Sequence, residues 1–104
     1  MYHIGVYVPL DCLEKVRDAM FEAGGGKIGS YDSCCWITKG VGMCRPLCSS
    51  KPFIGKENEI EKFDEYKLEL VVSDENLTNV INAMKASHPY EMPAFHYFHF
   101  NENI

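Results

Sequence analysis

The sequence predicts an α+β sandwich in which two helices cover one face of a four-stranded antiparallel sheet. Four short segments rich in β-branched and aromatic residues alternate with two segments of helical periodicity, in the order β-α-β-β-α-β. Glycine or proline follows each helical segment, where a helix must end. This order is the split βαβ pattern of ferredoxin-like domains. A chain of 104 residues has room for one core, so residues 1–104 are predicted to form a single domain.

The first strand and the first helix are the most clearly marked elements. Ile4–Val8 is β-branched and aromatic and stops at Pro9, which predicts a strand. Asp11 is predicted to be the N-cap of the helix, with Glu14 as its capping-box partner. The apolar stripe that follows consists of Leu13, Val16, Met20 and Ala23. Gly24–Gly26 is predicted to end this helix, because glycine readily adopts the left-handed backbone of a C-cap.

The middle of the chain contains two strands and a long segment between them. Cys34–Thr38 predicts a second strand, and the alternating apolar and charged residues of Tyr66–Val72 predict a half-buried third strand. The intervening residues 39–60 are rich in glycine and proline. A structureless loop of that length is uncommon unless it binds or assembles, so a functional loop or a short extra hairpin is expected.

The second helix and the last strand complete the pattern. Ser73 is predicted to cap a helix that ends by His88, because Pro89 disfavours helical geometry in the residue before it. Its buried face is predicted to consist of Leu77, Val80, Ile81 and Met84. The aromatic segment Phe95–Phe100 predicts the last strand. Both helices then lie on one sheet face, and the uncovered face predicts a homo-oligomer.

Bulk composition excludes several classes of function. The hydrophobic fraction of 46% and the charged fraction of 24% are typical of globular proteins. A net charge of −5 offers little to phosphate backbones, so nucleic acid is an unexpected partner. No apolar run approaches the roughly 18 residues that span a bilayer, and the first residues do not resemble a signal peptide. We therefore expect a cytoplasmic protein without a membrane partner, whose five cysteines are reduced.

The segment His88–Pro93 is the most informative candidate site. It combines two prolines with an imidazole, the Tyr90 phenol and the Glu91 carboxylate. One interpretation is a rigid turn in which His88 forms local hydrogen bonds. The other is a ligand or metal position at a subunit boundary that uses His88 and Glu91.

Two further clusters contain residue types that can bind phosphate or zinc. The glycines before Lys27 could cradle an anion, but they end a helix and match no phosphate-binding spacing, so a helix stop with a tight turn is the default. Cys44 and Cys48 have the spacing of one zinc-ligand pair, but Cys34 and Cys35 do not supply a second pair of the right geometry. His96 and His99 are predicted to lie on opposite faces of the last strand. The sequence contains no nucleophile-elbow or HExxH motif.

Several motifs in sequence order resemble the YqfO domain, the CutA-like and PII-like insert of the NIF-three (NGG-interacting-factor-like) family. They are Val8-Pro9, Ala23-Gly24-Gly25-Gly26, the run from Ile28 to Cys34, Gly40-Val41-Gly42, Arg45-Pro46, Pro52-Phe53-Ile54-Gly55 and His88-Pro89-Tyr90-Glu91. The resemblance covers about Tyr2 to Phe98. It implies a ferredoxin-like fold with trimer-forming relatives. It also implies that the dinuclear metal centre of the parent family lies outside this segment, so no hydrolase site is expected and we predict that the chain is not an enzyme.

Departures from the family pattern affect the metal hypothesis. Met43 and Cys44 stand where the family usually has threonine and phenylalanine, and Gly25 stands where it has alanine. Met92 replaces a second glutamate, which removes one possible oxygen ligand and weakens the metal hypothesis. The His88-Pro89-Tyr90 segment with Pro93 also resembles CutA proteins, which are linked to divalent copper tolerance. That resemblance implies copper or zinc as an alternative ligand, held by His88 with Glu91 or Cys12.

Two hypotheses follow from the residues and the resemblance together. The first is a non-catalytic oligomer, most simply a trimer, that binds a small molecule or a protein between subunits and needs no cofactor. Its predicted ligand or interface residues are Gly25, Gly26, Tyr31, Arg45, His88, Tyr90 and Glu91. The second is a divalent-metal binder that uses His88, Glu91 and Cys12.

Overall fold

The predicted α+β class is confirmed by the computed structural model, which describes residues 1–48 and 55–102. The strands are β1 (Tyr2–Pro9), β2 (Trp36–Cys44), β3 (Glu61–Val72) and β4 (Phe95–His99). The helices are α1 (Leu13–Glu22) and α2 (Leu77–Ser87). The antiparallel sheet has the order β2-β3-β1-β4, as expected for the split βαβ connection.

The core lies between the helices and alternate residues of the two central strands. Successive residues of a strand point to opposite faces, and the even-numbered residues of β1 and β3 face the helices. Buried residues of the sheet are Ile4, Val6, Val8, Leu68, Leu70 and Val72. They pack against Leu13, Val16, Met20, Val80 and Met84 of α1 and α2, which confirms most of the predicted apolar stripes.

The predicted helix caps are wrong, because a 3-10 turn precedes each helix. Leu10–Cys12 forms this turn before α1, so Cys12 takes the N-cap position, and Asp11 with Glu14 forms no capping box. Asn76 takes the same position before α2, while Ser73 precedes the 3-10 turn without a side-chain hydrogen bond. The chain enters each turn directly from a strand, which moves the helix start one to three residues beyond the predicted cap.

Both predicted helix ends are confirmed. After Glu22 the chain passes through Gly24 with φ +115°, and the Gly25 N–H donates to the Met20 carbonyl at 2.9 Å. This is the left-handed backbone that a glycine C-cap supplies. At the end of α2, His88 has an extended backbone, as expected for the residue before Pro89.

The second and third strands are longer than predicted. Cys34 and Cys35 precede β2, and β2 continues through Gly42 to Cys44. β3 begins at Glu61, five residues before the predicted start. Residues 41–44 and 61–64 therefore form a two-stranded ribbon that extends past the last β1 pair, Pro9 with Glu65. We call this ribbon the β2–β3 arm; the expected hairpin is thus an extension of the sheet. The predicted motif residues Pro52, Phe53 and Ile54 lie outside the described residues.

Gly42 lies in the predicted loop segment, but in the structure it is part of β2 and is needed for packing. A Cβ atom at Gly42 would collide with the Glu65 carboxylate and would lie 2.7 Å from the Phe63 ring. Glycine therefore permits the close cross-strand approach of these two side chains, and its presence in the predicted loop does not break the strand.

One face of the sheet is left uncovered by the described residues. Odd-numbered residues of β1 and β3 point away from the helices, together with the β2 and β4 residues that pair with them. We call this the open face; it carries His3, Tyr7, Trp36, Lys67, Glu69, His96 and Phe98. His96 pairs with Gly5 on this face and His99 pairs with Tyr2 on the helix face, which confirms that the two imidazoles point in opposite directions.

Candidate functional site

His88 is held by the chain at both of its ring nitrogens. It directly follows α2 and is buried, with 8% of its surface exposed. Nε2 lies 2.7 Å from the Tyr7 carbonyl oxygen, and Nδ1 lies 3.1 Å from the Tyr90 backbone nitrogen. A carbonyl oxygen only accepts and a backbone N–H only donates, so Nε2 carries the proton and Nδ1 does not. Burial lowers the pKa of His88, and the bond to Tyr7 only partly opposes this.

The Tyr90 phenol lies at a corner beside the β2–β3 arm. Its ring contacts the His88 ring at a centroid distance of 4.8 Å and the Phe63 ring edge-on at 6.3 Å. Burial raises the pKa of Tyr90 to about 12, and the charge of Glu65 adds to this effect. Burial also raises the pKa of Glu65. Burial thus disfavours the charged form of both acids, which is typical of a packed polar corner and of a site that excludes water.

The remaining predicted residues, Cys12, Glu91 and Arg45, differ in how exposed they are. Cys12 is half-buried at the start of α1, and it lies near enough to act electrostatically on Tyr90, as does Cys44. Glu91 and Arg45 are exposed. The corner thus joins His88, Tyr90 and Cys12 with two residues that sequence reasoning did not select, Phe63 and Glu65.

The predicted glycine residues belong to a different end of the sheet. The Gly26 N–H donates to the Val71 carbonyl at 2.7 Å, whereas Tyr90 contacts Phe63. Eight residues of β3 separate these contacts, roughly 26 Å at strand spacing. Within one chain, the predicted ligand residues therefore form two separate groups.

The glycine cluster has no backbone amide left for an anion. The N–H groups of Gly24, Gly25 and Gly26 donate to the carbonyls of Phe21, Met20 and Val71. Ile28 and Tyr31 exchange two further backbone hydrogen bonds, each 2.9 Å long. This geometry supports the predicted helix stop with a tight turn.

An open groove of about 580 Å³ lies between this turn and the open face. Its lining includes Ile28, Cys34, Cys35, Trp36, His3 and Glu69. Trp36 is 69% exposed, and its indole N–H donates to the Thr38 hydroxyl at 3.0 Å. The groove places the predicted Tyr31 turn next to residues that carry aromatic and acidic groups.

The open face carries ring and charged side chains that sequence reasoning did not select as a site. The His3 ring is stacked on the Phe98 ring at 4.8 Å, and its Nε2 lies 3.3 Å from Glu69 Oε1. Lys67 Nζ lies 3.5 Å from the same carboxylate oxygen. The sequence did contain a signal for this face. Apolar residues alternate with polar and ring residues along β1 and β3, so the residues between the buried Ile4, Leu68 and Leu70 must point to the opposite face.

Metal ligands do not cluster in the part of the chain that the structure describes. No group of three histidine, cysteine, aspartate or glutamate side chains is placed to hold an ion there. Cys12, Cys34, Cys35, Cys44 and Cys48 are all free thiols. A site that used His88 would have to replace one of its two hydrogen bonds within the chain. In the same described part, no helix has the length and apolar character needed to cross a membrane.

The chain is similar to a segment of longer bacterial proteins. No family model matches it. A protein of Halalkalibacterium halodurans named GTP cyclohydrolase 1 type 2 homolog is 40% identical over 95 residues, covering 91% of this chain and 26% of that protein. The solved structure of a Bacillus cereus protein related to NIF3 has a TM-score of 0.81 at 30% identity, covering 93% of this chain and 24% of that one. The chain thus spans about a quarter of the curated relatives it matches.

A second similarity concerns the fold alone. The divalent cation tolerance protein CutA of Archaeoglobus fulgidus has a TM-score of 0.67 at 19% identity, covering 100% of this chain and 88% of that one. Both resemblances that the sequence predicted are therefore confirmed: to the segment of NIF3-related proteins in sequence and fold, and to CutA in fold.

Proposed function

We propose that the chain is a non-catalytic module that self-associates through its sheet and binds a ligand or a protein where copies meet. The observation that carries this proposal is the outer edge of β2. Among residues 1–48 and 55–102 this strand pairs with β3 on one side and with no strand on the other, and its side chains are exposed almost throughout. An edge strand of nine residues is a ready template for another chain.

The β2 edge lacks the features that normally prevent pairing. It contains one charged residue, Lys39, and no proline, while Trp36, Val41 and Met43 expose large apolar side chains. Proteins usually protect such an edge with charges, prolines or bulges. A second copy of this chain is therefore the proposed occupant of the edge, and the trimer-forming relatives that the resemblance implies make a trimer the expected assembly.

The open face supports the same occupant. Its charges have both signs at neighbouring positions, with Lys67 next to Glu69, so a surface of the same composition can match it. A nucleic acid or an anionic lipid surface would require mainly positive charge, and the chain as a whole carries −5. Phe98 is 51% exposed on this face, and its burial by a second copy would contribute favourable free energy to association.

The corner at His88 supports a structural rather than a catalytic role. A general base needs an available ring nitrogen, and both nitrogens of His88 are bonded within the chain. The cyclohydrolase name of the relatives refers to proteins of which this chain spans about a quarter. We propose that this segment has no turnover of its own, and incubation with GTP and with phosphoesters tests this: measurable turnover would contradict it.

The test of self-association is a native mass spectrum combined with light scattering at micromolar concentration. We expect a trimer for the natural chain and a shift towards monomer for Val41→Lys, because a lysine on an edge strand disfavours pairing. Thr78→Lys on the exposed side of α2 is the matched control and should remain assembled. A monomeric natural chain, or equal behaviour of the two variants, would contradict the proposed interface.

Divalent metal binding is the second candidate. Its support is the similarity in fold to the A. fulgidus divalent cation tolerance protein CutA, together with the CutA-like segment at His88. We place it second because His88 would have to give up Tyr7 or Tyr90. Calorimetric titration with copper and zinc, repeated on His88→Ala, decides between the candidates: a saturable isotherm that the substitution abolishes would favour the metal.

A further inference from the structure

Two titratable imidazoles are stacked with a phenyl ring on the open face. We call His3, His96 and Phe98 the imidazole stack. The His3 ring is 4.8 Å from Phe98 and 6.0 Å from His96, with interplanar angles of 19° and 17°. His96 and Phe98 are themselves parallel within 3°. The three rings therefore present a flat surface that another copy can cover.

The positions of both imidazoles are fixed by contacts within the chain. A Cβ atom at Gly5 would lie 2.5 Å from His96 Cε1, so the His96 ring lies directly on the Gly5 backbone. His3 Nε2 faces Glu69, whereas His3 Nδ1 is shielded from solvent and has no hydrogen-bond partner among the described residues. Both rings are therefore held in place before a second copy covers them.

Glu69 is the carboxylate that faces the basic side chains beside the imidazole stack. Glu69 already faces both His3 and Lys67. Protonation of both imidazoles would place two positively charged rings 6.0 Å apart, with Lys67 and only one carboxylate beside His3. The other titratable groups that line the two grooves beside this region are Tyr7, Lys39, Glu65, Cys34 and Cys35.

We propose that acid dissociates the assembly by protonating the imidazole stack, so that His3 and His96 set the lower pH limit of self-association. This inference rests on the proposed function, because it requires a second copy as the occupant of the open face. Lys67 and Glu69 make that face complementary to a copy of itself, which favours this occupant over one of a single charge.

The direction follows from the cost of burying charge. Covering the face removes the water that stabilises a protonated imidazole, so the uncovered chain takes up protons more readily than the assembly. Association therefore weakens as the pH falls through the range in which histidine side chains protonate. Each proton taken up on dissociation weakens association by up to about tenfold per pH unit. We expect the dissociation constant to rise by at least about tenfold between about pH 7.5 and about pH 5.5.

The experiment is sedimentation equilibrium of the full chain at these two pH values, with circular dichroism to show that the monomer stays folded. His96→Phe keeps a ring in the stack but cannot take up a proton, so acid should weaken its assembly less than that of the natural chain. His99→Phe changes an imidazole on the helix face and should respond to acid like the natural chain. His96→Gln replaces the phenylalanine variant if that variant does not assemble at the higher pH.

The outcomes separate this inference from the proposed function. A natural chain that is monomeric at about pH 7.5 overturns both. An assembly of unchanged stability at the two pH values overturns the inference alone. Unfolding of the monomer in acid, or an unaltered acid response in the His96 variants, also overturns it.

Discussion

His88 connects three parts of the fold through its two ring nitrogens. It follows α2, donates to the β1 carbonyl of Tyr7 and accepts from the Tyr90 N–H in the segment before β4. Tyr7 in turn donates its own N–H to the Ala94 carbonyl at 3.1 Å. The neutral imidazole is thus a polar crosslink between α2, β1 and the segment before β4, and leaving a buried hydrogen-bonding group unpaired costs about 1–3 kcal/mol.

Acid should therefore weaken the fold through His88. Its pKa in the folded state is lowered from 6.5, so the stabilisation is complete above about pH 6.5 and is lost as the pH falls towards the folded-state value. Protonated Nδ1 can no longer accept from Tyr90. Urea unfolding at neutral and acidic pH measures this, at a concentration at which the chain is monomeric.

The matched variants for this prediction are His88→Ala and His99→Ala. We expect His88→Ala to lower the free energy of unfolding by about 2–4 kcal/mol at neutral pH and to reduce its acid dependence. His99 is exposed, and its removal should change the free energy of unfolding by less than about 0.5 kcal/mol. Equal losses in the two variants would contradict the role of His88 as a crosslink.

At the scale of the elements, hydrophobic periodicity predicted more than local signals did. The buried residues of β1, β3, α1 and α2 follow from alternation and helical spacing, because these patterns report which face is covered. The helix caps at Asp11 and Ser73 were wrong because the 3-10 turns that precede the helices leave no periodic trace. The β2–β3 arm was missed because Gly40 and Gly42 are typical of loops, and only the cross-strand neighbours of Gly42 show why glycine is needed there.

The candidate site was likewise only partly predictable from local sequence patterns. The rigid segment at His88 is visible in the sequence because prolines mark it. Glu65, Phe63 and the imidazole stack were not selected, since their proximity depends on strand register between distant segments. A one-residue change of register would move each of them to the other face.

Gly42→Ala should destabilise the β2–β3 arm. The added Cβ would displace Glu65 and the Phe63 ring, and Phe63 contacts Tyr90. We expect a loss of about 1–3 kcal/mol, which corresponds to a melting temperature lower by several degrees. Gly40→Ala is the control, because a Cβ there has no neighbour within 4 Å, and it should be neutral or slightly stabilising. Similar melting temperatures for the two variants would show that the arm does not pack as described.

The core between α2 and the sheet supplies a second test at this scale. Met84 is fully buried, whereas Met92 is 83% exposed. Met84→Ala should cost about 2–5 kcal/mol through lost burial and a cavity, and Met92→Ala should cost almost nothing. Denaturant midpoints of the two variants measure this difference. A small cost at Met84 would mean that α2 is not packed on the sheet at this position.

At the scale of the whole molecule, the fold leaves two surfaces without a partner in the described part of one chain. The β2 edge offers backbone hydrogen bonds, and the open face offers rings and charges of both signs. The two surfaces meet at Trp36, which pairs with Glu69 of β3. A second copy that pairs with the edge can therefore also cover part of the open face, and the 580 Å³ groove beside Trp36 would then lie next to the interface.

Hydrogen exchange measured by mass spectrometry can locate this interface. Amides of an unpaired edge exchange rapidly with solvent, and pairing with another strand protects them. Peptides covering β2 should therefore exchange more slowly when the chain is concentrated enough to assemble than when it is dilute. Peptides covering α2 should show no such dependence on concentration, because the helices lie on the opposite face of the sheet. Protection of the α2 peptides with unchanged exchange in β2 would place the interface on the helices and contradict assembly through the sheet.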